Sequence, residues 1–158
     1  MSVEREKIFN FMKKKRILIT GAAGYLGSII ATKLVNLGHH VTAVDIIKYD
    51  KNSLSHLFYF DNFKFLKEDI TKEKIVKKIV KNQDIIIPLA ALVGAPLCEK
   101  FKKNTIKTNV KAIEILLKNI KKKQKIIYPT TNSGYGIGEK NKFCDETSPL
   151  KPVSLYGT

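Results

Sequence analysis

Cysteine is scarce in this sequence of 158 residues, and neither of the two cysteines lies in a metal-binding or redox motif. Cys98 and Cys144 are separated by 46 positions, with no CxxC pair and no histidine nearby. Such spacing indicates neither a disulfide framework nor a zinc site. We therefore predict no bound metal and a reducing, cytoplasmic compartment.

Long apolar runs are also missing. None approaches the roughly 18 residues that a membrane-spanning helix requires. The basic segment 13–16 and the apolar residues 17–19 resemble the start of a signal peptide, but a glycine turn interrupts the run and no convincing cleavage site follows. We expect no membrane partner and no secretion signal.

Arginine is rare although the formal net charge is +15. Only Arg5 and Arg16 are arginine among the 29 basic residues, and the lysines are scattered along the chain. Surfaces that bind nucleic acid usually present arginine forks and interleaved aromatic rings. We interpret the lysines as solvated helix faces and predict no nucleic-acid partner, although the positive field would attract an anionic substrate.

The length and overall composition of the chain are those of one globular domain. Hydrophobic residues make up 44% of the chain and charged residues 27%, which suffices for a sizeable core. Met12 directly precedes a basic cluster and the first apolar run. We predict an N-terminal extension over residues 1–14 and one folded domain over residues 15–158.

The segment 16–27, with the sequence RILITGAAGYLG, is the most informative part of the chain. It predicts a strand, a tight turn and the start of a helix. Gly21 would permit the turn, Gly24 would let the backbone approach a pyrophosphate, and Gly27 would let helix and strand pack closely. Phosphates would then bind the free N–H groups at the positive end of the helix.

A second apolar strand ends at Asp45, 18 residues after Gly27. A carboxylate about 20 residues beyond such a glycine motif is placed to bind the ribose hydroxyls of an adenine dinucleotide. Together the two features predict a nucleotide-binding βαβ unit. The alternative is an ordinary βα turn with an incidental aspartate.

The rest of the chain alternates between strand and helix patterns. Further strands are predicted over 40–45, 63–66, 84–89 and 125–128, and helices over 25–37, 72–81 and 104–122. We expect Gly38 to end the first helix and residues 69–71 to cap the second. The last helix carries apolar residues at core spacing: Ile106, Val110, Ile113, Leu117 and Ile120. This alternation predicts an α/β, doubly wound parallel sheet of the Rossmann type that stops after about five strands.

Several motifs along the chain match one known family. They are Thr20 to Gly27, Asp45, Asp69-Ile70, Leu89-Ala90-Ala91, Asn109-Val110, Thr131 with Tyr135-Gly136, and Pro152 before Tyr156-Gly157. From about residue 15 onward the sequence resembles the N-terminal half of an extended short-chain dehydrogenase/reductase of the NAD-dependent nucleotide-sugar epimerase and dehydratase family. Residues 87–98 and 132–140 look most like the branch that oxidises C4 of GDP-heptoses.

The resemblance implies a set of site residues. Those expected to bind NAD are Gly21, Ala23, Gly24, Tyr25, Leu26, Gly27, Asp45, Asp69, Ile70, Leu89, Ala90, Ala91, Asn109 and Tyr156. Those expected to bind a nucleotide-diphosphate sugar are Val93, Thr131, Asn132 and Ser133. Asp45 favours NAD over NADP because a carboxylate repels the 2′-phosphate. In a doubly wound sheet these positions meet at the carboxyl ends of the strands.

The resemblance also implies the catalytic roles. Tyr156 would take the proton of a sugar hydroxyl while hydride leaves the same carbon for the nicotinamide, and Thr131 would hydrogen-bond the reacting hydroxyl. Alternatively, Thr131 caps a turn and Tyr156 is an ordinary aromatic residue. Asn132-Ser133 stand where 4,6-dehydratases carry an Asp-Glu pair, which disfavours dehydration.

The sequence departs from the family pattern in three ways. Pro88 stands in place of a histidine, and Gly134 in place of a valine. The third departure is that the family's lysine, four residues after Tyr156, is missing from the sequence given. That lysine would stabilise the tyrosinate, but the sequence ends at Thr158. We expect an N-terminal fragment that binds the cofactor weakly or moderately and has little activity. A noncatalytic NAD-binding remnant or sensor is the alternative. The full-length form is expected to be a homodimer, because family members commonly pair through the helix after strand four and the helix that carries the Tyr-Lys pair.

Overall fold

Five parallel strands form a single sheet in the computed structural model, which describes residues 13–49, 51–138 and 143–158. The strands are β1 (Arg16–Thr20), β2 (His40–Asp45), β3 (Phe63–Lys67), β4 (Ile85–Pro88) and β5 (Lys125–Ile126). Their order across the sheet is β3-β2-β1-β4-β5. The predicted doubly wound parallel sheet is confirmed, although β5 is shorter than the predicted strand. Most of the predicted N-terminal extension, residues 1–12, lies outside the described residues.

Helices cover both faces of this sheet. They are α1 (Tyr25–Asn36), α2 (Glu73–Ile79), α3 (Ala95–Lys100), α4 (Lys102–Thr105) and α5 (Ala112–Asn119). A π-helical turn, Ile106–Lys111, joins α4 to α5, and 3₁₀ turns lie at Ser55–Leu57 and Asn132–Tyr135. Within the described ranges, no helix is both long and apolar enough to cross a bilayer.

The core is divided between the two faces of the sheet because successive strand side chains point in opposite directions. Ile17 and Ile19 pack against α1, whereas Leu18 between them packs against α2 and α5. The strand between these layers has no exposed face, which explains its unbroken apolar sequence.

α1 ends as the sequence predicts. Gly38 has a φ of +75°, and its N–H donates to the Val35 carbonyl at 2.8 Å. The next N–H, from His39, donates to the Leu34 carbonyl at 3.1 Å. These two bonds form a Schellman motif, for which glycine is the favoured residue.

The cap predicted for α2 at residues 69–71 is wrong, although the helix begins within one residue of its predicted start. The helix begins at Glu73 after Lys72, with no side-chain cap. The Asp69 carboxylate instead accepts a hydrogen bond from the Thr71 N–H at 2.9 Å, within the turn that precedes the helix. A short side chain that bonds two residues ahead stabilises a turn rather than a helix N-terminus.

The buried face predicted for the 104–122 segment is also wrong at three positions. Ile106, Val110 and Leu117 are 44%, 47% and 53% exposed. Neighbouring residues are buried in their place: Thr105 and Leu116 lie one position before Ile106 and Leu117, and Ala112 lies two positions after Val110. The segment has two neighbouring apolar rows, and the sheet buries the row that includes Ala112 and Leu116, with Ile115 and Ile120 at its margin. In addition, the π-helical turn interrupts the 3.6-residue period on which the prediction depends.

Candidate functional site

The carboxyl end of β1 lies between those of β2 and β4, and a doubly wound sheet has its ligand-binding crevice at such a place. From β1 the chain continues to β2 and β3 on one side of the sheet, whereas from β4 it continues to β5 on the other side. The topological switch point of the fold therefore lies between β1 and β4. Thr20, the buried last residue of β1, joins the two loops there. Its carbonyl accepts the Leu89 N–H at 3.0 Å, and its hydroxyl accepts the Ala90 N–H at 3.4 Å.

The glycine turn forms the first wall of this crevice. Gly21 has a φ of +69°, and a Cβ there would lie 2.6 Å from the Ala90 nitrogen. A Cβ at Gly27 would contact the Gly21 carbonyl oxygen and come within 2.7 Å of the Ala22 Cα. Gly21 therefore permits the turn, and Gly27 permits the close packing of α1 against this turn, whereas the sequence predicts packing of Gly27 against the strand.

The N-terminus of α1 opens into the crevice without a side-chain cap. Gly24 occupies the N-cap position, and no acidic residue lies in the first turn. Tyr25 and Leu26 are 87% and 48% exposed, and their backbone N–H groups belong to the first turn of a 12-residue helix. Such a helix terminus carries partial positive charge and attracts anions.

Asp45, at the end of β2, faces this glycine turn. One carboxylate oxygen accepts the Ala23 N–H at 3.0 Å, and the other accepts the Ile47 N–H at 2.8 Å. Ile47 has a φ of +55°, which is unusual for a β-branched residue. A carboxylate offers about four acceptor positions, so acceptor capacity remains for hydroxyl groups of a ligand.

Asp69 and Ile70 follow β3 in the sequence. Burial raises the pKa of the Asp69 carboxyl group, but the Thr71 hydrogen bond and the charges of Lys107 and Lys72 outweigh it, so the pKa lies below its usual value. The Ile70 side chain is 5% exposed and packs in the core beneath α2. Any ligand contact of Ile70 must therefore use its backbone.

The segment after β4 forms the second wall of the crevice. Leu89 and Ala90 are half-buried there, and Ala91 and Val93 are exposed. Asn109, in the π-helical turn, fixes this segment through Leu92.

The Asn109 amide bonds both backbone groups of Leu92. Its oxygen accepts the Leu92 N–H at 2.9 Å and its nitrogen donates to the Leu92 carbonyl at 2.8 Å. The buried Cys98 thiol also donates to that carbonyl, at 3.3 Å. Sequence reasoning missed this contact between Asn109 and Leu92, because nothing local in the sequence indicates a bond across 17 residues.

Thr131 lies at the start of the 3₁₀ turn that follows β5. Its hydroxyl oxygen accepts the Ser133 N–H at 3.3 Å and its hydroxyl is 3.3 Å from the Ser133 hydroxyl. Thr131 therefore caps a turn, as the alternative interpretation expects, and it retains hydroxyl capacity for a further partner. Asn132 is exposed and Ser133 is half-buried.

The turn with Tyr156 packs against the turn after Thr131. Gly157 lies so close to Ser133 that an added Cβ would contact the Ser133 carbonyl oxygen. Gly134 is buried near Leu150, and its carbonyl accepts the Lys151 N–H at 3.0 Å. The structure thus brings the segments of the two predicted catalytic residues together, and a valine side chain in place of Gly134 would have to share this space.

Ser53 is a further polar residue at the crevice that sequence reasoning missed. Its hydroxyl donates to the Ala23 carbonyl at 2.9 Å, although the two residues are 30 positions apart. No motif marks Ser53, because the contact arises only when the β2–β3 connection folds over the glycine turn.

Comparison with known proteins agrees with this architecture. The model of the NAD dependent epimerase/dehydratase family matches residues 17–158. UDP-N-acetyl-alpha-D-glucosaminuronate decarboxylase of Bacillus cytotoxicus is 35% identical over 126 residues, which make up 79% of this chain and 39% of that protein. Protein CapI of Staphylococcus aureus is 30% identical over 153 residues, 89% of this chain and 45% of that protein. The chain thus spans less than half the length of these relatives.

Solved structures give the same result. The UDP-glucuronic acid 4-epimerase of Bacillus cereus, in complex with UDP-glucuronic acid and NAD, has a TM-score of 0.79 and 28% identity over 90% of this chain and 48% of its own. The UDP-N-acetylglucosamine 4-epimerase of Methanobrevibacter ruminantium M1 has a TM-score of 0.80 and 28% identity over 92% of this chain and 47% of its own. Because the family model covers almost the whole chain and the fold agrees, this chain belongs to the NAD-dependent epimerase/dehydratase family.

Proposed function

We propose that this chain is the cofactor-binding part of an NAD-dependent enzyme that acts at C4 of a nucleotide-diphosphate sugar. One observation carries the proposal: at the switch point of the sheet, an uncapped helix N-terminus and the Asp45 carboxylate face the same glycine turn. A dinucleotide needs both features, one for its diphosphate and one for its ribose.

The residues in the crevice fit NAD. A diphosphate would bind the N–H groups of the first turn of α1, where Gly24 has no Cβ and an added one would contact only the Gly21 carbonyl oxygen, at 3.3 Å. The ribose hydroxyls would bind the remaining acceptor positions of Asp45. The 2′-phosphate of NADP would approach this carboxylate and be repelled, so we infer a preference for NAD.

The remaining cofactor contacts proposed for this chain lie along the crevice. Asp69 and the Ile70 backbone would border the adenine, and Leu89, Ala90 and Ala91 would border the path to the nicotinamide. Asn109 would contribute indirectly, because its side-chain amide bonds the Leu92 backbone and so fixes the segment that borders the nicotinamide.

NAD supplies a hydride acceptor when it is bound. Tyr156 would take the proton of the C4 hydroxyl, hydride would leave C4 for the nicotinamide, and the carbon would become a ketone. Thr131 would hydrogen-bond the reacting hydroxyl, and Val93, Asn132 and Ser133 would contact the sugar. The absence of an acid-base pair at Asn132-Ser133 favours oxidation or epimerisation over dehydration.

The nucleotide of the substrate is a finer question. Three of the four relatives named above act on UDP-sugars by their names, whereas residues 87–98 and 132–140 resemble the GDP-heptose branch. We therefore propose a nucleotide-diphosphate sugar as the substrate, with GDP- and UDP-sugars compared in the assay. The net charge of +15 would attract either anionic substrate.

Cofactor binding is tested by titrating the chain with NAD and with NADP in a calorimeter. We expect tighter binding of NAD, and Asp45→Asn should reduce the difference between the two affinities. The matched control is Asp61→Asn. Asp61 is exposed and precedes β3, so it lies near the amino ends of the strands, whereas Asp45 lies at the carboxyl end of β2. Equal affinity of the unchanged chain for both dinucleotides would contradict the role of Asp45.

The reaction is tested with the chain extended by the C-terminal half of a relative. We expect NADH absorbance to appear with a GDP- or UDP-sugar, and Tyr156→Phe to abolish it. Tyr59→Phe, at a tyrosine that is 93% exposed in the β2–β3 connection, is the control. NAD binding without hydride transfer from any sugar would favour the noncatalytic alternative.

The exposed row Ile106, Val110 and Leu117 supports the proposal that the extended protein pairs with a second copy. An apolar row on an exposed helix face is typical of an interface. Sedimentation of the extended protein should show a dimer, and Leu117→Lys should shift it toward monomer.

A further inference from the structure

Ser53 connects the β2–β3 connection to the glycine turn. Its hydroxyl donates to the Ala23 carbonyl at 2.9 Å. The position of Ser53 is well defined, because the following residues Leu54 and Leu57 are 3% and 0% exposed and pack in the core beside α1. The donor therefore approaches Ala23 from a rigid part of the fold.

The peptide between Ala23 and Gly24 has a partner on each side. Its carbonyl accepts the Ser53 hydroxyl, and its N–H, from Gly24, donates to the Gly21 carbonyl at 3.2 Å. The preceding N–H, from Ala23, donates to Asp45 at 3.0 Å. Two other segments of the chain, through Asp45 and Ser53, thus fix the backbone immediately before the first turn of α1, in addition to the bond within the turn itself.

Rotation of this peptide would alter the electrostatics of the helix N-terminus. Gly24 has no Cβ, and glycine accepts backbone conformations on both sides of φ = 0, so its own sterics do not prevent the rotation. A rotated peptide would turn the Ala23 carbonyl away from Ser53. It would then place partial negative charge near the N–H groups that attract an anion.

We propose that Ser53 is a positioning residue of the cofactor site, which fixes the Ala23–Gly24 peptide so that the first turn of α1 stays open to a diphosphate. The inference rests on the proposed cofactor site. Its specific consequence is that Ser53 contributes to recognition of the diphosphate and not of the adenosine. Asp45 also accepts the Ile47 N–H at 2.8 Å, in a hydrogen bond that does not involve Ser53.

The test compares ADP-ribose with adenosine as probes of the full chain, by calorimetry for the first and by chemical-shift titration for the second. We expect Ser53→Ala to weaken ADP-ribose binding about tenfold, the effect of losing one hydrogen bond to a fixed group, and to leave adenosine binding unchanged. Ser53→Thr keeps a hydroxyl and should restore most of the affinity. Exchange of the Gly24 amide hydrogen should be faster in Ser53→Ala.

Ser55→Ala is the matched control. The Ser55 hydroxyl donates to a backbone carbonyl at 2.8 Å in the same connection, but its acceptor, Asn52, is three residues away. We expect this variant to bind ADP-ribose as the unchanged chain does. Unchanged ADP-ribose affinity in Ser53→Ala, or an equal loss for adenosine, would overturn the role of Ser53 and leave the cofactor site standing. No ADP-ribose binding by the unchanged chain would overturn the site and the inference together.

Discussion

At the scale of single residues, Gly21 satisfies two separate requirements. Its φ of +69° favours glycine, and the Ala90 nitrogen would lie 2.6 Å from any Cβ. Gly94 shares only the first requirement, since its φ is +93° and an added Cβ would meet nothing within 4 Å. The sequence predicts the turn at Gly21 from its motif, whereas only the folded sheet shows that the segment after β4 packs against it.

Gly21→Ala and Gly94→Ala should therefore differ in stability. We expect Gly94→Ala to destabilise the protein by about 1–3 kcal/mol, because its φ of +93° and ψ of +137° lie in a backbone region that is almost confined to glycine. Gly21→Ala should lower the free energy of unfolding by more than Gly94→Ala does, because backbone atoms of Ala90 must also move to make room for the Cβ. Urea unfolding of both variants measures the difference. Equal losses would mean that the segment after β4 moves away freely.

His39 is a second residue whose environment only the folded structure shows. It is 8% exposed, and its Nδ1 accepts the Lys15 N–H at 3.2 Å. Burial lowers the pKa of the His39 imidazole below its ordinary value, and the nearby charge of Lys15 lowers it further.

We expect His39 to make stability depend on pH. The unfolded chain binds a proton near pH 6.5, whereas folded His39 stays neutral to lower pH. Because the unfolded state then binds more protons, the free energy of unfolding should fall as the pH drops below about 6.5 and should not change through this group above it. His39→Asn keeps an acceptor and should flatten the profile between pH 7.5 and 5, as followed by urea unfolding. A slope that survives His39→Asn would assign the pH dependence to another group.

At the scale of elements, α5 shows why apolar spacing alone did not identify the buried face. Two apolar rows lie side by side on this helix, and either one satisfies the 3.6-residue period. Leu116 is 1% exposed and Leu117 is 53% exposed, so the sheet buries one row and leaves the other open. The π-helical turn before α5 interrupts the 3.6-residue period, so the spacing in the sequence does not carry over from one side of the turn to the other.

Neighbouring leucine variants distinguish the two rows. Leu116→Ala should destabilise the protein by about 2–5 kcal/mol, because it leaves a cavity in the core. Leu117→Ala should change the free energy of unfolding by about 0.5 kcal/mol or less, since its side chain is largely exposed in the single chain. Both are measured by urea unfolding under the same conditions. The reverse order would mean that the sequence-based choice of face is correct.

At the scale of the whole molecule, the dominant feature is an excess of positive charge that ion pairs do little to balance. The described residues form four ion pairs, and every side chain in them is at least 36% exposed. Exposed pairs of this kind contribute little to stability. With a net charge of +15, repulsion among the lysines should therefore destabilise the compact state at low ionic strength.

Added salt should stabilise this protein. The screening length falls from about 30 Å at 0.01 M salt to about 8 Å at 0.15 M. We expect Tm to rise by a few degrees over this range, and a gain of about 1 kcal/mol corresponds to about 2–4 °C for a domain of this size. Exchange of the exposed residues Lys121, Lys122 and Lys123 for glutamate lowers the net charge of +15 by two at each position and should flatten the dependence. A Tm that does not respond to sodium chloride would contradict self-repulsion.

The sequence by itself determined the features that arise from near neighbours in the chain. The apolar run before Gly21, the glycine spacing, the strand that ends at Asp45 and the stop at Gly38 each follow from local sterics and periodicity. From these, the parallel sheet and the location of the crevice could be predicted, because parallel strands place their carboxyl ends at one edge.

Only the tertiary structure decided the contacts between distant segments. Ser53 bonds Ala23 across 30 residues, Asn109 bonds Leu92 across 17, and Ala90 lies against Gly21. The buried row of α5 belongs to the same class. Each depends on how separate segments pack once the sheet has formed, and hydrogen-bond partners at such distances leave no periodic pattern in the sequence.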